Sequence, residues 1–227
     1  AQADPANACA GWGKGIHGVT AGRIDTDDPY VMIHWCTMPG AGAVEGRDGF
    51  DQLGHVITLG GLMLHNVEPY EQRYPMQFRR QEYRCDTGGP GKFRGGTGIH
   101  YDVMVEEEAV YSFRGEGLIY PSGFGINGGG TGQEAEMEIV PLGGMAEVTP
   151  SYGNRTYSAA SLVARSSGGG GWGDPFERDP GRVLHDVRCG LVSREAAHND
   201  YGVILANDGR TVDLAATSSA RLVRGSN

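Results

Sequence analysis

Glycine is the feature that most restricts how this chain can fold. It supplies 39 of 227 residues, about 17%, whereas soluble proteins contain about 7%. The glycines cluster between short apolar runs without a Gly-X-Y period, so the sequence excludes a collagen-like triple helix. Such clusters are typical of tight turns between short strands, because glycine adopts left-handed backbone conformations without a steric penalty. The sequence therefore predicts an α+β fold that is mainly β, with several antiparallel strands joined by glycine-rich turns.

Short apolar or alternating stretches locate the predicted strands. They are Val31–Cys36, His55–Leu64, Met76–Asp86, two strands of a meander within His100–Gly117, and a hairpin around Gly143–Gly144. No internal repeat accompanies them. These stretches and their loops make up a predicted β core region, residues 1–165.

Helical signals appear only after the run SSGGGGWGDP. Asp179 suits an N-cap and Pro180 the first helical position, which predicts a helix in RVLHDVRC. Ser193 predicts the start of a second short helix in REAAHND, and Asp208–Gly209 between apolar residues predicts a C-terminal hairpin. We expect this region, residues 166–227, to pack on the same domain as the β core.

Charge and hydropathy exclude several classes of protein. A formal net charge of −9 argues against a nucleic-acid binder, which needs a basic surface. No run reaches the ~18 apolar residues of a membrane span, and the N-terminus lacks the pattern of a signal peptide. We expect a cytoplasmic protein with no nucleic-acid or membrane partner.

Cysteine and histidine spacing indicates no metal site within this chain. The four cysteines lie far apart without a CxxC pair, which argues against a zinc ribbon and favours free thiols. His34 and Cys36 share one face of a predicted strand, so a metal pair is geometrically possible. A buried structural pair is the better interpretation, and we assign no metal ligand.

The stretch GGPGKFRGG, Gly88 to Gly96, resembles a phosphate-binding loop only superficially. A P-loop requires Gly-x-x-x-x-Gly-Lys-[Ser/Thr]. Here the first position is Asp86 and Phe93 follows Lys92, so both ends of the motif fail. GxGxxG occurs three times, but no occurrence has the preceding strand, following helix and later acidic residue of a dinucleotide site. These glycine loops therefore do not predict a nucleotide site of either kind.

Two longer stretches resemble the hydantoinase B/oxoprolinase family. NVEPYEQRYPMQFRRQEYRCDTGGPGKFRGGTG (Asn66–Gly98) is similar to the family's central block, in which two spaced glutamates precede Tyr-Pro, a strand and a glycine-rich loop. GGGGWGDPFERDPGRVLHDVRCGLVSREAAHNDYGVIL (Gly168–Leu205) is similar to its C-terminal signature, and GAGAVEGRDGFD (Gly40–Asp51) to a preceding glycine-rich segment. The resemblance covers only the C-terminal part of a typical B-type subunit, so the chain is either one piece of a split subunit or part of a longer one.

The resemblance implies a hetero-oligomeric, ATP-dependent enzyme. In such complexes ATP and Mg²⁺ bind to an A-type subunit, which phosphorylates a carbonyl oxygen, and the B-type subunit completes the reaction. A divalent metal, Zn²⁺ or Mn²⁺, is then expected on the N-terminal B-type piece, which is not part of this chain. The expected activity is hydrolysis of a hydantoin, oxoproline or other lactam. The alternatives are an acetone- or acetophenone-type ketone carboxylase, or a non-catalytic scaffold piece of either enzyme.

The same resemblance suggests the candidate site residues. The candidate catalytic residues are Asp48, Glu68 and Glu71. The candidate substrate- or phosphate-binding residues are Asp86, Gly88, Gly89, Gly91, Lys92 and Arg94. Arginine suits oxyanions, but a structural interpretation stands beside this one. In it the glycines build a tight bend, Arg94 pairs with a nearby acid, and the helical pair only supports the fold.

Overall fold

The computed structural model describes residues 4, 7–34, 37–52 and 66–224. Within these ranges nine strands form two antiparallel sheets. The strands are β1 (Ile16–Gly22), β2 (Tyr30–His34), β3 (Met76–Tyr83), β4 (Ile99–Val105), β5 (Ala109–Gly115), β6 (Glu136–Pro141), β7 (Glu147–Val148), β8 (Tyr152–Tyr157) and β9 (Ala160–Arg165). The first sheet has the order β2-β1-β5-β8 and the second β3-β4-β9-β6-β7. The predicted mainly β, α+β fold class is confirmed, while the predicted strand His55–Leu64 lies outside the described residues.

Alternating burial explains why these segments form sheets with one inner face. In β2 the residues Tyr30, Met32 and His34 are buried, whereas Val31 and Ile33 are exposed. The period of two places successive side chains on opposite faces of a strand. Apolar inward residues of both sheets form a single core, which includes Ile16, Tyr101, Tyr111, Met137, Ile139 and Leu162. Full burial of such a side chain contributes about 1.5–3 kcal/mol to folding.

The predicted meander in His100–Gly117 is wrong in its pairing, although both of its strands exist. Strand β4 pairs with β3 and β9 in the second sheet, whereas β5 pairs with β1 and β8 in the first. The short link 106–108 therefore carries the chain from one sheet to the other. The predicted hairpin around Gly143 is confirmed by the pairing of β6 with β7.

His34 has a structural role in the core. Its ring lies between the Thr20 hydroxyl at 3.0 Å and the Tyr101 hydroxyl at 2.8 Å, and all three residues are fully buried. Buried polar groups require such partners, because burial without a hydrogen bond costs free energy. This arrangement agrees with the structural interpretation of His34, while Cys36 lies outside the described residues.

Most of the glycine clusters lie outside the two sheets and bond to one another. Five segments that lie largely outside strands and helices, residues 10–13, 39–50, 87–98, 122–133 and 166–173, are joined by backbone hydrogen bonds. We call them the glycine bundle. Its central segment, Gly168–Gly171, donates from its amides to the carbonyls of Gln133, Gly96, Gly11 and Gly130 at 2.8–3.0 Å, and accepts from Ala43 at 2.9 Å. It therefore bonds to each of the other four segments.

Close backbone approach, rather than turn formation, requires glycine in this bundle. A Cβ added at Gly168 would lie 1.7 Å from the Thr87 carbonyl oxygen, and one at Gly169 would lie 1.9 Å from that of Ala41. A Cβ at Gly95 would in turn lie 2.0 Å from the Gly169 carbonyl oxygen. No side chain fits at these positions, as at the axis of collagen. The sequence-based expectation of turns holds at sites such as Gly143, with φ of 74°.

The described part of the chain is completed by a 3₁₀-helix (Pro175–Glu177) and four α-helices, α1 (Glu68–Arg73), α2 (Pro180–Arg188), α3 (Arg194–Asn199) and α4 (Leu214–Arg224). The predicted caps of α2 and α3 are confirmed. The Asp179 carboxylate accepts from the Arg182 amide and the Ser193 hydroxyl from the Ala196 amide, both at 3.0 Å. Each such cap stabilises a helix by about 1 kcal/mol. Around α2 and α3 a small second core forms, which includes Val183, Val192, Ala197, Tyr201 and Val203.

The C-terminal hairpin is shorter than predicted. The turn at Asp208–Gly209 is present, but it joins only one isolated bridge, between Leu205 and Val212. Asp213 then accepts a hydrogen bond from the Ala216 amide at 2.9 Å and caps α4. The cap ends the extended segment, and α4, which the sequence analysis did not predict, begins at the last residue of the predicted hairpin.

Candidate functional site

The loop Gly88–Arg94 packs against the centre of the glycine bundle. The Gly89 amide donates to the Gly169 carbonyl at 2.8 Å, and the Lys92 amide to the Gly173 carbonyl at 3.2 Å. A Cβ at Gly88, Gly89 or Gly91 would lie 2.1–2.6 Å from a backbone oxygen. A phosphate cradle needs free amides that point at the ligand. The amides of Gly89 and Lys92 are instead bonded within the bundle, so the geometry of the loop favours the structural interpretation of its glycines.

Arg94 is a buried arginine with several acceptors. Its guanidinium donates to the Gly95 carbonyl at 2.6 Å, the Thr97 hydroxyl at 2.9 Å and the Asp51 carboxylate at 3.2 Å. Burial alone would lower the pKa of Arg94, but the charges of Asp51 and Asp186 outweigh it and raise that pKa. The side chain therefore stays charged and holds its own loop against Asp51.

Asp48 accepts a two-pronged hydrogen bond from a second buried arginine, Arg178. The Arg178 nitrogens lie 2.7 and 2.9 Å from the two carboxylate oxygens of Asp48. The same carboxylate accepts from the Arg94 amide and from the Arg182 guanidinium, both at 2.8 Å. Burial would raise the pKa of Asp48, but the hydrogen bond and charge of Arg178 lower it overall. Asp48 is therefore held as an anion.

Asp186 of α2 completes the cluster. Its carboxylate lies 2.7 Å from Arg178 and 3.7 Å from Arg94. Burial opposes the charge of Arg178, but the carboxylates of Asp48 and Asp186 raise its pKa well above the usual range. We call this set the Asp–Arg network. Its members are Asp48, Asp51, Arg94, Arg178, Arg182 and Asp186.

The network joins the helical region to the glycine bundle with balanced charge. Three carboxylates face three guanidinium groups, and Arg178 also donates to the Lys92 carbonyl at 3.1 Å. Asp48 and Arg94 were predicted from the sequence, but Arg178 and Asp186 were missed. The only signal for them was their place in the stretch Gly168–Leu205, since nothing local shows that Asp48 and Arg178 meet.

Lys92 is the member of the candidate loop whose charge is most accessible. Its ammonium group lies 2.9 Å from Glu177 in a partly exposed ion pair. An exposed pair of this kind contributes little to stability, at most about 1 kcal/mol. The Lys92 ammonium could therefore exchange Glu177 for another anion at small cost.

Asp86 organises the start of α3. It adopts a left-handed conformation with φ of 60°, and its carboxylate accepts from the Ser193 amide at 2.6 Å. Its own amide donates to the Leu191 carbonyl at 3.0 Å. Burial and the Asp86 charge raise the pKa of the neighbouring Asp200. Asp86 thus ties the candidate loop to the helical pair.

Glu68 and Glu71 lie in a different part of the molecule. Both are exposed on α1, and the Glu71 carboxylate accepts from the Phe78 amide at 2.7 Å. Helix α1 precedes β3, whereas Asp86 follows it, and eight residues of strand span roughly 25 Å. The structure therefore places the candidates in two groups, one at each end of β3.

The described part of the chain contains neither a cluster of metal ligands nor a membrane-spanning helix. Within the described ranges, no three His, Cys, Asp or Glu residues come close enough together to hold a metal ion. Across the same ranges no helix combines the length and apolar character needed to cross a bilayer. The paired charges of the Asp–Arg network suit it to positioning rather than to proton transfer.

Comparison with known proteins identifies relatives along nearly the whole chain. The family model described as hydantoinase B/oxoprolinase matches residues 1–175. The beta subunit of caprolactamase from Pseudomonas jessenii is 33% identical over 234 residues, covering 97% of this chain and 39% of that protein. The B-type subunit of a putative D-/L-hydantoinase from Pseudomonas sp. (strain NS671) is 30% identical, covering 80% and 31%. The alpha subunit of acetone carboxylase from Xanthobacter autotrophicus is 28% identical, covering 92% and 34%.

Solved structures share the fold. The crystal structure of the ATP-dependent caprolactamase from Pseudomonas jessenii superposes with a TM-score of 0.76 at 27% identity, over 97% of this chain and 39% of that chain. Nucleotide-free acetone carboxylase superposes with a TM-score of 0.75 at 24% identity, over 95% and 34%. The second likeness shows the fold alone. The chain thus spans about a third to two fifths of the length of these relatives.

Proposed function

The chain belongs to the hydantoinase B/oxoprolinase family, and on that basis we propose that it is the C-terminal part of a B-type subunit in an ATP-dependent cyclic amide hydrolase. The observation that carries the proposal is the match to the caprolactamase beta subunit along nearly the whole chain. The match to a hydantoinase B-type subunit supports the same branch, because lactams and hydantoins share a ring amide.

The proposed chemistry divides between subunits. A ring amide is a poor electrophile, and phosphorylation of its oxygen turns that oxygen into a leaving group. We assign ATP and Mg²⁺ to an A-type partner, and any divalent metal to the remainder of the B-type subunit. The described residues hold no set of three potential metal ligands, so no step is assigned to a metal on this chain.

We assign a positioning role to the Asp–Arg network within that complex. Its charges are matched and largely buried, so Asp48 and Arg94 act on the placement of loop Gly88–Arg94 rather than on substrate. Lys92 is the exception, because its ammonium is accessible and its ion pair with Glu177 is weak. We propose that Lys92 is the residue of this loop that contacts an anionic group of the substrate.

Native co-purification followed by assay tests the function. The complex is isolated from its source through this chain, and its other members are identified by mass spectrometry. Caprolactam, hydantoin and 5-oxoproline are then tested with and without ATP. ATP-dependent ring opening supports the proposal, whereas turnover that ignores ATP, or the absence of an A-type partner, contradicts it.

A ketone carboxylase is the second candidate. The alpha subunit of acetone carboxylase matches 92% of this chain, and the two solved relatives superpose almost equally well. The fold therefore does not separate hydrolysis from carboxylation. Incorporation of labelled bicarbonate into acetone or acetophenone, with no ring opening of cyclic amides, would favour this candidate.

The two lysines of the chain provide a matched pair for the role of Lys92. Lys92→Met removes the accessible ammonium of the loop, and Lys14→Met removes an ammonium that lies 3.6 Å from Glu116. We expect Lys92→Met to raise KM or lower kcat about tenfold or more, and Lys14→Met to leave both unchanged. If both lysine variants keep the wild-type KM and kcat, the loop has a structural role only. If the chain is only a scaffold, Asp86→Ala and Arg94→Ala should leave turnover unchanged in a correctly assembled complex.

A further inference from the structure

The first sheet carries an aliphatic patch on the face that points away from the core. Val31 and Ile33 of β2 are 63% and 41% exposed. The register aligns Val19 with Ile33, and Ala21 with both Val31 and Val110. We call these five residues the aliphatic face. A contiguous apolar patch on a sheet is costly to leave in water and marks an interaction surface.

Within the described ranges no strand pairs with the neighbouring sheet edge. Strand β2 is the last described strand of its sheet on this side, and its sequence YVMIH contains no lysine, proline or acidic residue. Its pairing with β1 runs from Tyr30 to His34 without a bulge. Proteins usually protect an edge by one of these devices, because a free edge adds strands from other chains. An edge with none of these devices and no described neighbour, beside an aliphatic face, is typical of a strand that is covered in the assembled protein.

One end of the aliphatic face is acidic. The loop after β1 and the link before β5 meet there around a groove of about 450 Å³ that reaches Ala21 and Val110. Arg23 pairs with Asp28 at 2.9 Å and with Glu107 at 3.0 Å. It is the one basic residue among the acidic residues of these two segments. Those acidic residues are Asp25, Asp27, Asp28, Glu106, Glu107 and Glu108.

We propose that the remainder of the B-type subunit covers this surface. A segment from it adds a strand to the edge of β2, packs aliphatic side chains on the aliphatic face, and places a lysine or arginine against the acidic end. The inference rests on the proposed function, under which a B-type remainder exists. We identify the B-type remainder as the partner of this surface because about three fifths of the length of the caprolactamase chain has no counterpart in this chain.

Photo-cross-linking in the intact complex tests the contact directly. Val31 is replaced by p-benzoylphenylalanine in the B-type subunit as it occurs in its source, and Leu142, an aliphatic residue 73% exposed in the β6–β7 turn, is replaced in the control. After irradiation, cross-linked tryptic peptides are identified by mass spectrometry. We expect position 31, but not position 142, to yield a peptide from the B-type remainder.

Other outcomes separate the two proposals. A cross-link to an A-type subunit or to a second copy of this chain, or none in a complex that still turns over, overturns the inference and leaves the proposed function intact. Failure of the wild-type chain to assemble with any B-type remainder overturns the proposed function and the inference with it.

Charge substitution gives an independent measure. Ile33→Lys buries an ammonium at the proposed contact and should weaken association with the B-type remainder about tenfold or more. Leu142→Lys should change it less than about twofold, because a charge at an exposed site is hydrated as before. Circular dichroism checks that both variants are folded. Equal affinity for the two folded variants would refute the contact.

Discussion

Arg178→Met and Arg182→Met test whether burial determines how much the Asp–Arg network stabilises the protein. Both arginines donate to Asp48 at 2.7–2.9 Å. They differ in exposure, because the Arg178 side chain is 1% exposed and that of Arg182 is 46% exposed. The two variants therefore remove the same charge from the same partner in two different environments.

The expected losses of folding stability differ severalfold between the two variants. Arg178→Met leaves the carboxylates of Asp48 and Asp186 without their shared cation, and breaking a buried pair in this way costs about 3–5 kcal/mol. An unfolding entropy of about 2.1 cal/mol/K per residue over the chain is about 0.5 kcal/mol/K, so Tm should fall by about 6–10 °C. Arg182→Met should cost at most about 1 kcal/mol and lower Tm by about 2 °C or less.

Acid titration provides a second signature. The folded-state pKa of Asp48 is lowered overall, against the effect of burial, by Arg178. Its contribution to stability is therefore complete above the unfolded pKa of about 3.9 and is lost as pH falls through the lower folded value. The wild-type protein should lose this contribution of Asp48 to stability from about pH 5 downward. Arg178→Met should show little of this pH-dependent loss.

Thermal unfolding followed by circular dichroism, at pH 7 and in steps down to pH 3, measures both effects on identically prepared proteins. Equal losses of Tm in the two variants would refute the reasoning from burial. A wild-type acid slope retained in Arg178→Met would show that Asp48 does not depend on Arg178.

Three further predictions concern single positions. Gly169→Ala should lower the free energy of unfolding in urea by more than about 3 kcal/mol, because its Cβ would lie 1.9 Å from a backbone oxygen. Gly143 has open space around it, so Gly143→Ala should cost only about 1–2 kcal/mol. Similar costs for the two variants would contradict the packing role of the glycine bundle. Glu71→Ala removes the acceptor of the Phe78 amide and should lower the free energy of unfolding by about 1 kcal/mol, whereas Glu71→Gln should keep the hydrogen bond and the stability. Loss of turnover in a stable Glu71→Gln variant would instead identify a catalytic carboxylate. Burial and Asp86 raise the pKa of Cys85 to about 11. At pH 8 iodoacetamide should therefore alkylate Cys85 about a hundredfold more slowly than a thiol of pKa 9, and the rate should rise until about pH 11. An alkylation rate, followed by peptide mass spectrometry, that levels off near pH 9 would contradict this.

Local signals in the sequence predicted local structure well. The caps at Asp179 and Ser193 begin helices where expected, because capping depends on atoms three residues apart. The strand in Met76–Asp86 and the hairpin at Gly143 follow equally from period and turn residues. The C-terminal hairpin is reduced to a turn with one bridge, and helix α4 after it was not predicted, although Asp213 supplies a local capping signal for it.

Long-range arrangement was not accessible in the same way. The strands β4 and β5 are neighbours in sequence, yet they belong to different sheets, because each extends a separate inner face of the core. The glycine count indicated an unusual backbone but not its form. The same residue type serves turns with positive φ and close packing of extended segments, and composition cannot distinguish them.

The order of the amino acids alone indicates the family, the mainly β class, the starts of α2 and α3, and the need for many positions without a side chain. Which charges meet follows only from how the folded chain packs. Asp48 and Arg178 are separated by 130 residues, whereas Glu71 and Asp86 are close in sequence and lie at opposite ends of β3. Contacts between distant residues depend on the packing of the whole chain, and a short stretch of sequence carries no record of that packing.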